Sequence, residues 1–174
     1  IVQSLSILFT DETINFGNGS VQTAAGANFS TLGQFDNWLN ITPANVTSGF
    51  VLENIGNVNV SLYLKTDRNA TEFIMDPYNL TNGEAFKYMV RNCNTLGENG
   101  AIDCRPATNQ SSYDAVGTSG IACTQVAAGF TLGSWFNVNG TTGMGASKLG
   151  TPICNKFTWE GNRDELRIDI NIFI

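Results

Sequence analysis

The stretch "LRIDINIFI", residues 166–174, decides the fold class. Leu166, Ile168, Ile170, Ile172 and Ile174 alternate with Arg167, Asp169 and Asn171, the period-two pattern of a β-strand with one apolar and one polar face. Its β-branched isoleucines pack well on a pleated surface and lose side-chain freedom in a helix. The pattern places the aliphatic row inward and the polar row outward. "EGNRDE", residues 160–165, reads as the turn that leads into it, and "KFTW", residues 156–159, is expected to complete a hairpin.

The same alternation recurs upstream. In "VLENIGNVNVSLYLKT", residues 51–66, Val58, Val60, Leu62 and Leu64 fall on one side and Asn57, Asn59, Ser61 and Tyr63 on the other; "ENIGN" supplies the turn, with Gly56 free to take a positive φ. "IVQSLSILFT", residues 1–10, sets Leu5, Ile7 and Phe9 on one side before the chain turns at Gly17 to Gly19. "GFVLEN", "EAFKYMVRN", "GIACTQVA" and "SWFNVNG" are further strands. Only "STLGQFDNWL", residues 30–39, spaces its apolar residues like a helix turn, with Leu32, Phe35, Trp38 and Leu39; Gly33 interrupts it and leaves room for a short helix or a tight loop. Residues 91–120 and 139–152 are rich in Gly, Asn, Ser and Thr without periodicity and read as long loops. Neither an internal repeat nor an interdomain linker appears. The expectation is therefore all-β: one domain over residues 1–174, a jelly-roll or immunoglobulin-like β-sandwich with long disulfide-stabilised loops.

Composition narrows the environment. Only 14% of residues are charged and the formal net charge is −6, so no basic surface stands ready to neutralise phosphates, and nucleic acid is not an expected partner. No run of apolar residues is long enough for a transmembrane helix. A chain that opens on Ile1 reads as a mature form from which a leader was removed. Cys93, Cys104, Cys123 and Cys154 are an even set without a C-x-x-C pair, and no histidine exists to complete a zinc site. Two disulfides are the economical reading. Of the three pairings, Cys93–Cys104 with Cys123–Cys154 is preferred, because the first pair brackets the turn-rich "CNTLGENGAIDC". Such bridges call for an oxidising compartment or a hyperthermophile's cytosol.

Sequons occur at Asn18, Asn28, Asn40, Asn45, Asn59, Asn69, Asn79, Asn109 and Asn139. With the Asn, Ser and Thr content of this chain, chance gives about 3.5 such sites, so the excess points to N-linked glycans over much of the surface. Asn40 is the weaker acceptor, since Pro43 follows its sequon. Asn59 sits on the polar side of its strand, where a sheet with one wet face can carry a sugar.

Catalytic chemistry has little to work with. Without histidine the usual base for a serine or cysteine nucleophile is missing, the lone Ser147–Lys148 pair lies in a glycine-rich loop, and the acidic residues stand in no recognisable glycosidase arrangement. No catalytic residue is assigned and the chain is not read as an enzyme. Asp11–Glu12, Asp67 with Asn69, and residues 162–165 offer oxygen ligands for a structural Ca²⁺, but turn-forming acids account for them and no metal site is assigned. "GTTGMGASKLG" lacks the lysine spacing of a phosphate-binding loop.

"LENIGNVNVSL" resembles the N-x-G-N-x-x-V opening of strands in secreted archaeal β-sandwich domains, and "DELRIDINIFI" is similar to their closing strands. The assembly class this resemblance implies is archaeal surface filaments without a pilin helix: thread-type pili, and bundling pili related to the TasA biofilm fibre protein. In those families an N-terminal strand completes the sheet of the next subunit. The resemblance thus implies an extracellular structural subunit at the cell surface, a homopolymer built by donor-strand complementation and serving adhesion or biofilm. Residues 1–10 would be the exchanged strand, with Leu5, Ile7 and Phe9 as its apolar side. The alternative is a monomeric glycan-binding or S-layer-associated surface domain, with Trp38 or Trp135 as an aromatic platform.

Overall fold

The computed structural model describes residues 2–23, 26–32, 35–40, 49–66, 86–92, 122–138, 150–159 and 165–174. Within them the chain is all-β. The strands are β1 (Ile7–Asp11), β2 (Gly19–Val21), β3 (Asn28–Ser30), β4 (Phe35–Asp36), β5 (Trp38–Asn40), β6 (Phe50–Asn54), β7 (Val60–Leu64), β8 (Phe86–Asn92), β9 (Cys123–Val126), β10 (Phe136–Asn137), β11 (Thr151–Phe157) and β12 (Glu165–Phe173). Every pairing among the described residues is antiparallel.

β12, the strand of the opening stretch, is the spine. One of its edges is paired along Leu166–Ile172 by β8; the other is shared, with β6 against Glu165–Ile168 and β3 against Asn171–Phe173. β1 extends the sheet beyond β6, β4 beyond β3, and β10 beyond β8. A second sheet has the order β7-β11-β9, and β2 with β5 forms a small ribbon. Leu166, Ile168, Ile170 and Ile172 of β12 meet Phe86, Tyr88 and Val90 of β8 and Leu52 of β6 in one core with Ile153, Cys154 and Phe157 of the second sheet. Val60, Leu62 and Leu64 pack against it from β7, while Ser61 and Tyr63 face outward as their alternation requires. Each fully buried aliphatic or aromatic side chain contributes roughly 1.5–3 kcal/mol.

The cysteine pair Cys123–Cys154 forms a disulfide that joins β9 to β11 inside this core. Cys93 and Cys104 lie outside the described residues.

Three sequence expectations change. "KFTW" does not pair with "LRIDINIFI": Lys156 and Phe157 end β11, which pairs with β7 and β9, so the chain crosses from one sheet to the other between residues 157 and 165. A two-sheet core rewards this crossing, because it lets both amphipathic strands bury their apolar rows against each other. "STLGQFDNWL" makes no helix over its described residues; it turns at Thr31–Leu32 and supplies β4 and β5, with Asn37 at a φ of 57° between them. Asn is among the few residues that adopt the left-handed region readily.

The third change concerns the polar row of β12. Arg167 and Asp169 are not outward in water; they are 1% and 0% exposed. Asp169 Oδ2 accepts from Arg91 Nε at 2.7 Å, while Oδ1 accepts from Arg167 Nε at 2.8 Å and from Thr31 Oγ1 at 2.7 Å. Arg167 also donates to the Thr31 carbonyl, and Thr31 Oγ1 accepts from the Ile170 amide. Asp169→Ala is expected to destabilise the protein by about 3–5 kcal/mol, because it leaves buried guanidinium groups without their carboxylate. The midpoint of urea unfolding measures this, and a wild-type midpoint would contradict the role given to Asp169.

Candidate functional site

The candidate site is the sheet edge where β1 lies. β1 pairs with β6 through Ile7↔Asn54, Leu8↔Glu53 and Phe9↔Leu52, then shifts register before Asp11↔Val51. A bulge of this kind is common at sheet edges and interrupts further pairing. Ile7 and Phe9 share the core face with Leu52: Ile7 packs against the core, and Phe9 meets Phe50 edge-on with centroids 6.4 Å apart. Leu8 points to the other face. Phe9 and Leu8 remain 48% and 45% exposed, and Leu5 is 70% exposed. The apolar side expected from Leu5, Ile7 and Phe9 is thus present at Ile7 and Phe9 only, since Leu5 precedes the strand.

The segment expected to be exchanged, residues 1–10, is in the single chain paired in cis along Ile7–Asp11. Pairing within one chain has the advantage of covalent connection, which gives β1 a high effective concentration at its own β6.

Residues 2–6 form no strand but are held by the turn after β6. The Ser4 amide donates to Asn57 Oδ1 at 2.8 Å, Asn57 Nδ2 donates to the Val2 carbonyl at 2.9 Å, and the Asn57 amide donates to the Ser4 carbonyl at 3.0 Å. Asn57 therefore reads three successive peptide units with one residue. The turn itself is fixed by buried Asn54, whose Nδ2 donates to the carbonyls of Val58 and Phe157 and whose Oδ1 accepts from the Gly56 amide. Gly56 does not adopt the positive φ expected of it. It is required for a different reason: a Cβ there would lie 2.5 Å from the Ser4 carbonyl oxygen and 3.1 Å from the Ser6 amide nitrogen. "ENIGN" reads in the sequence as a turn, and nothing local beyond Asn54 and Asn57 on either side of Gly56 indicates that it also grips another segment.

The remaining candidates separate. Asn18 and Asn59 are exposed, while Asn28 is half-buried in β3 between β12 and β4. Asn40 is in β5, its side chain outside the described residues; Asn45, Asn69, Asn79, Asn109 and Asn139 lie outside them entirely. Trp38 is half-buried, packed on Phe29 with centroids 5.3 Å apart, and Trp135 is also half-buried. Of the oxygen ligands for Ca²⁺, Asp67, Asn69 and residues 162–164 are outside the described residues, as are Ser147 and Lys148.

A pocket of about 220 Å³ opens beside β10, lined by Tyr88, Phe130, Phe136 and Thr151 among others. Phe130 and Phe136 stack at 4.5 Å, with Tyr88 beside both. Comparison with protein-family models, curated proteins and solved structures finds no match in any of the three.

Burial pushes the Tyr88 phenol above its usual pKa, and a hydrogen bond with Thr151 offsets this in part. A raised phenol favours the neutral form in the fold, so its stabilising contribution is complete below the ordinary value of about 10 and is lost as pH rises through the higher folded value. Alkaline titration followed by phenolate absorbance should show a late phase that Tyr88→Phe removes. Survival of that phase in the variant would assign it to another residue.

Proposed function

We propose that this chain is a structural subunit of an extracellular surface filament, polymerised by exchange of its β1 strand and serving adhesion or biofilm. The observation that carries the reading is the attachment of β1. It is bound on one side only among the described strands, its apolar residues are half covered, and residues 12–18, which form no strand, connect it to the rest of the chain. Moving β1 from its own β6 to the β6 of a neighbour would reproduce the same strand pairing, which is the low-cost route of strand swapping. Donor and acceptor surfaces differ, so a head-to-tail exchange leaves an unfilled acceptor at one end and a free donor at the other; it can propagate and need not close.

An extracellular setting is supported by the Cys123–Cys154 disulfide, a bond kept in oxidising compartments. No helix among the described residues is long and apolar enough to cross a membrane. N-linked glycans fit the same setting and the sequon excess. Glycopeptide mapping of native material should find sugar on exposed Asn18 and Asn59 and a bare Asn28, whose strand is flanked on both sides. A bare Asn59 would remove the strongest acceptor.

A cross-link tests the exchange. Leu8 and Glu53 face each other across β1 and β6, so Leu8→Cys with Glu53→Cys, oxidised in the assembled state, should give a ladder of covalent multimers on a non-reducing denaturing gel. A cross-link confined to single chains would overturn polymerisation by β1.

A further inference from the structure

We infer that the turn from Asn54 to Val58 is a recognition site for an extended peptide backbone, and that its occupant is the segment of residues 2–6 from a second copy of this chain. The inference rests on the strand-exchange reading above and adds the element that selects and registers the incoming strand.

The chemistry of the site defines what it takes. Asn57 makes three hydrogen bonds with the main chain of Val2 and Ser4, donating two and accepting one, and none of them involves a side chain of that segment. The side-chain amide of Asn57 thus acts as one more peptide group, offering an acceptor and a donor to the strand that approaches. Gly56 brings the two backbones closer than any side chain permits. The site accordingly accepts a segment with a free amide at its fourth position, and it is indifferent to the side chains at positions 2 and 5, which are 86% and 70% exposed.

Three residues after Ser4, Ile7 comes into register with Asn54, and Phe9 with Leu52. The clamp therefore fixes one end of the strand so that its apolar residues land on the core face; a slip by one residue would turn Ile7 and Phe9 to the opposite side. Asn54 couples the clamp to both sheets, since it binds the turn at Val58 and the end of β11 at Phe157. Asn57 and Ser4 are themselves exposed, so one occupant can replace another without opening the core. A second copy of the chain carries the same amide, the same apolar spacing and the same small residue opposite Gly56.

Two measurements on the full-length protein test this. In hydrogen exchange, Asn57→Ala should speed the Ser4 amide by about tenfold, the loss expected for the side-chain hydrogen bonds that hold the segment, while Val90 and Ile168 exchange at the wild-type rate. Gly56→Ala should do the same by steric displacement. Unchanged exchange at Ser4 in both variants would overturn the clamp.

In the second, a fluorescent peptide of residues 2–11 is incubated with the full-length chain. It should be incorporated by displacing β1, and the same peptide with Ser4→Pro, which has no amide hydrogen at that position, should be incorporated at least tenfold less. Exclusion of both peptides would overturn a second copy as occupant, and equal uptake would overturn recognition at Ser4. Peptide uptake without a covalent ladder from the Leu8→Cys, Glu53→Cys protein would sink the filament reading while leaving the recognition site standing.

Discussion

The Asp169 carboxylate is the constraint around which the larger sheet is ordered. β8 and β12 are registered so that Arg91 and Arg167 stand directly opposite each other, an arrangement of like charges that by itself disfavours pairing. Asp169 lies one pleat further along the same face and receives both guanidinium groups, with Thr31 on its third bond. Sliding β8 by one residue would send Arg91 into the aliphatic core and Val90 to the polar face. The ion cluster makes that register costly to leave, whatever its net contribution to stability. A buried pair of this kind specifies more than it stabilises, because desolvation of the charges offsets much of their attraction.

The same register determines where the sheet can grow. With β8 along one edge of β12 and β6 and β3 sharing the other, the spine has no free ladder over its paired length. The sheet therefore ends in shorter strands, and in β1 the apolar side chains of Leu8 and Phe9 remain about half exposed. The turn that follows β6 has two tasks: Asn54 turns the chain toward the second sheet, and Asn57 reaches back to hold the segment before β1. A small polar cluster at one corner thus links the core, the crossing between sheets and the exposed edge.

Some of this was legible in the residues themselves. The alternation in 166–174 and 58–64 identified β12 and β7 and their inward rows, because a strand's side chains must alternate whatever surrounds it. The even cysteine count and the absence of histidine pointed to disulfides, and Cys123–Cys154 is one. "EAFKYMVRN" and "GIACTQVA" were likewise read as strands and contain β8 and β9.

Tertiary structure decided the rest. A polar residue on the second face of a strand looks the same in sequence whether water or protein covers it, so Arg167 and Asp169 could be placed on that face but not in the interior. Partnership was equally hidden: "KFTW" adjoins "LRIDINIFI" along the chain, yet burying two apolar rows against each other places them in different sheets. Gly56 was marked by its identity and explained only by the Ser4 carbonyl, a contact between segments some fifty residues apart. Local pattern fixes which side of a strand is apolar, because that follows from backbone geometry; what lies against each side depends on the folding of distant segments, which no local pattern contains.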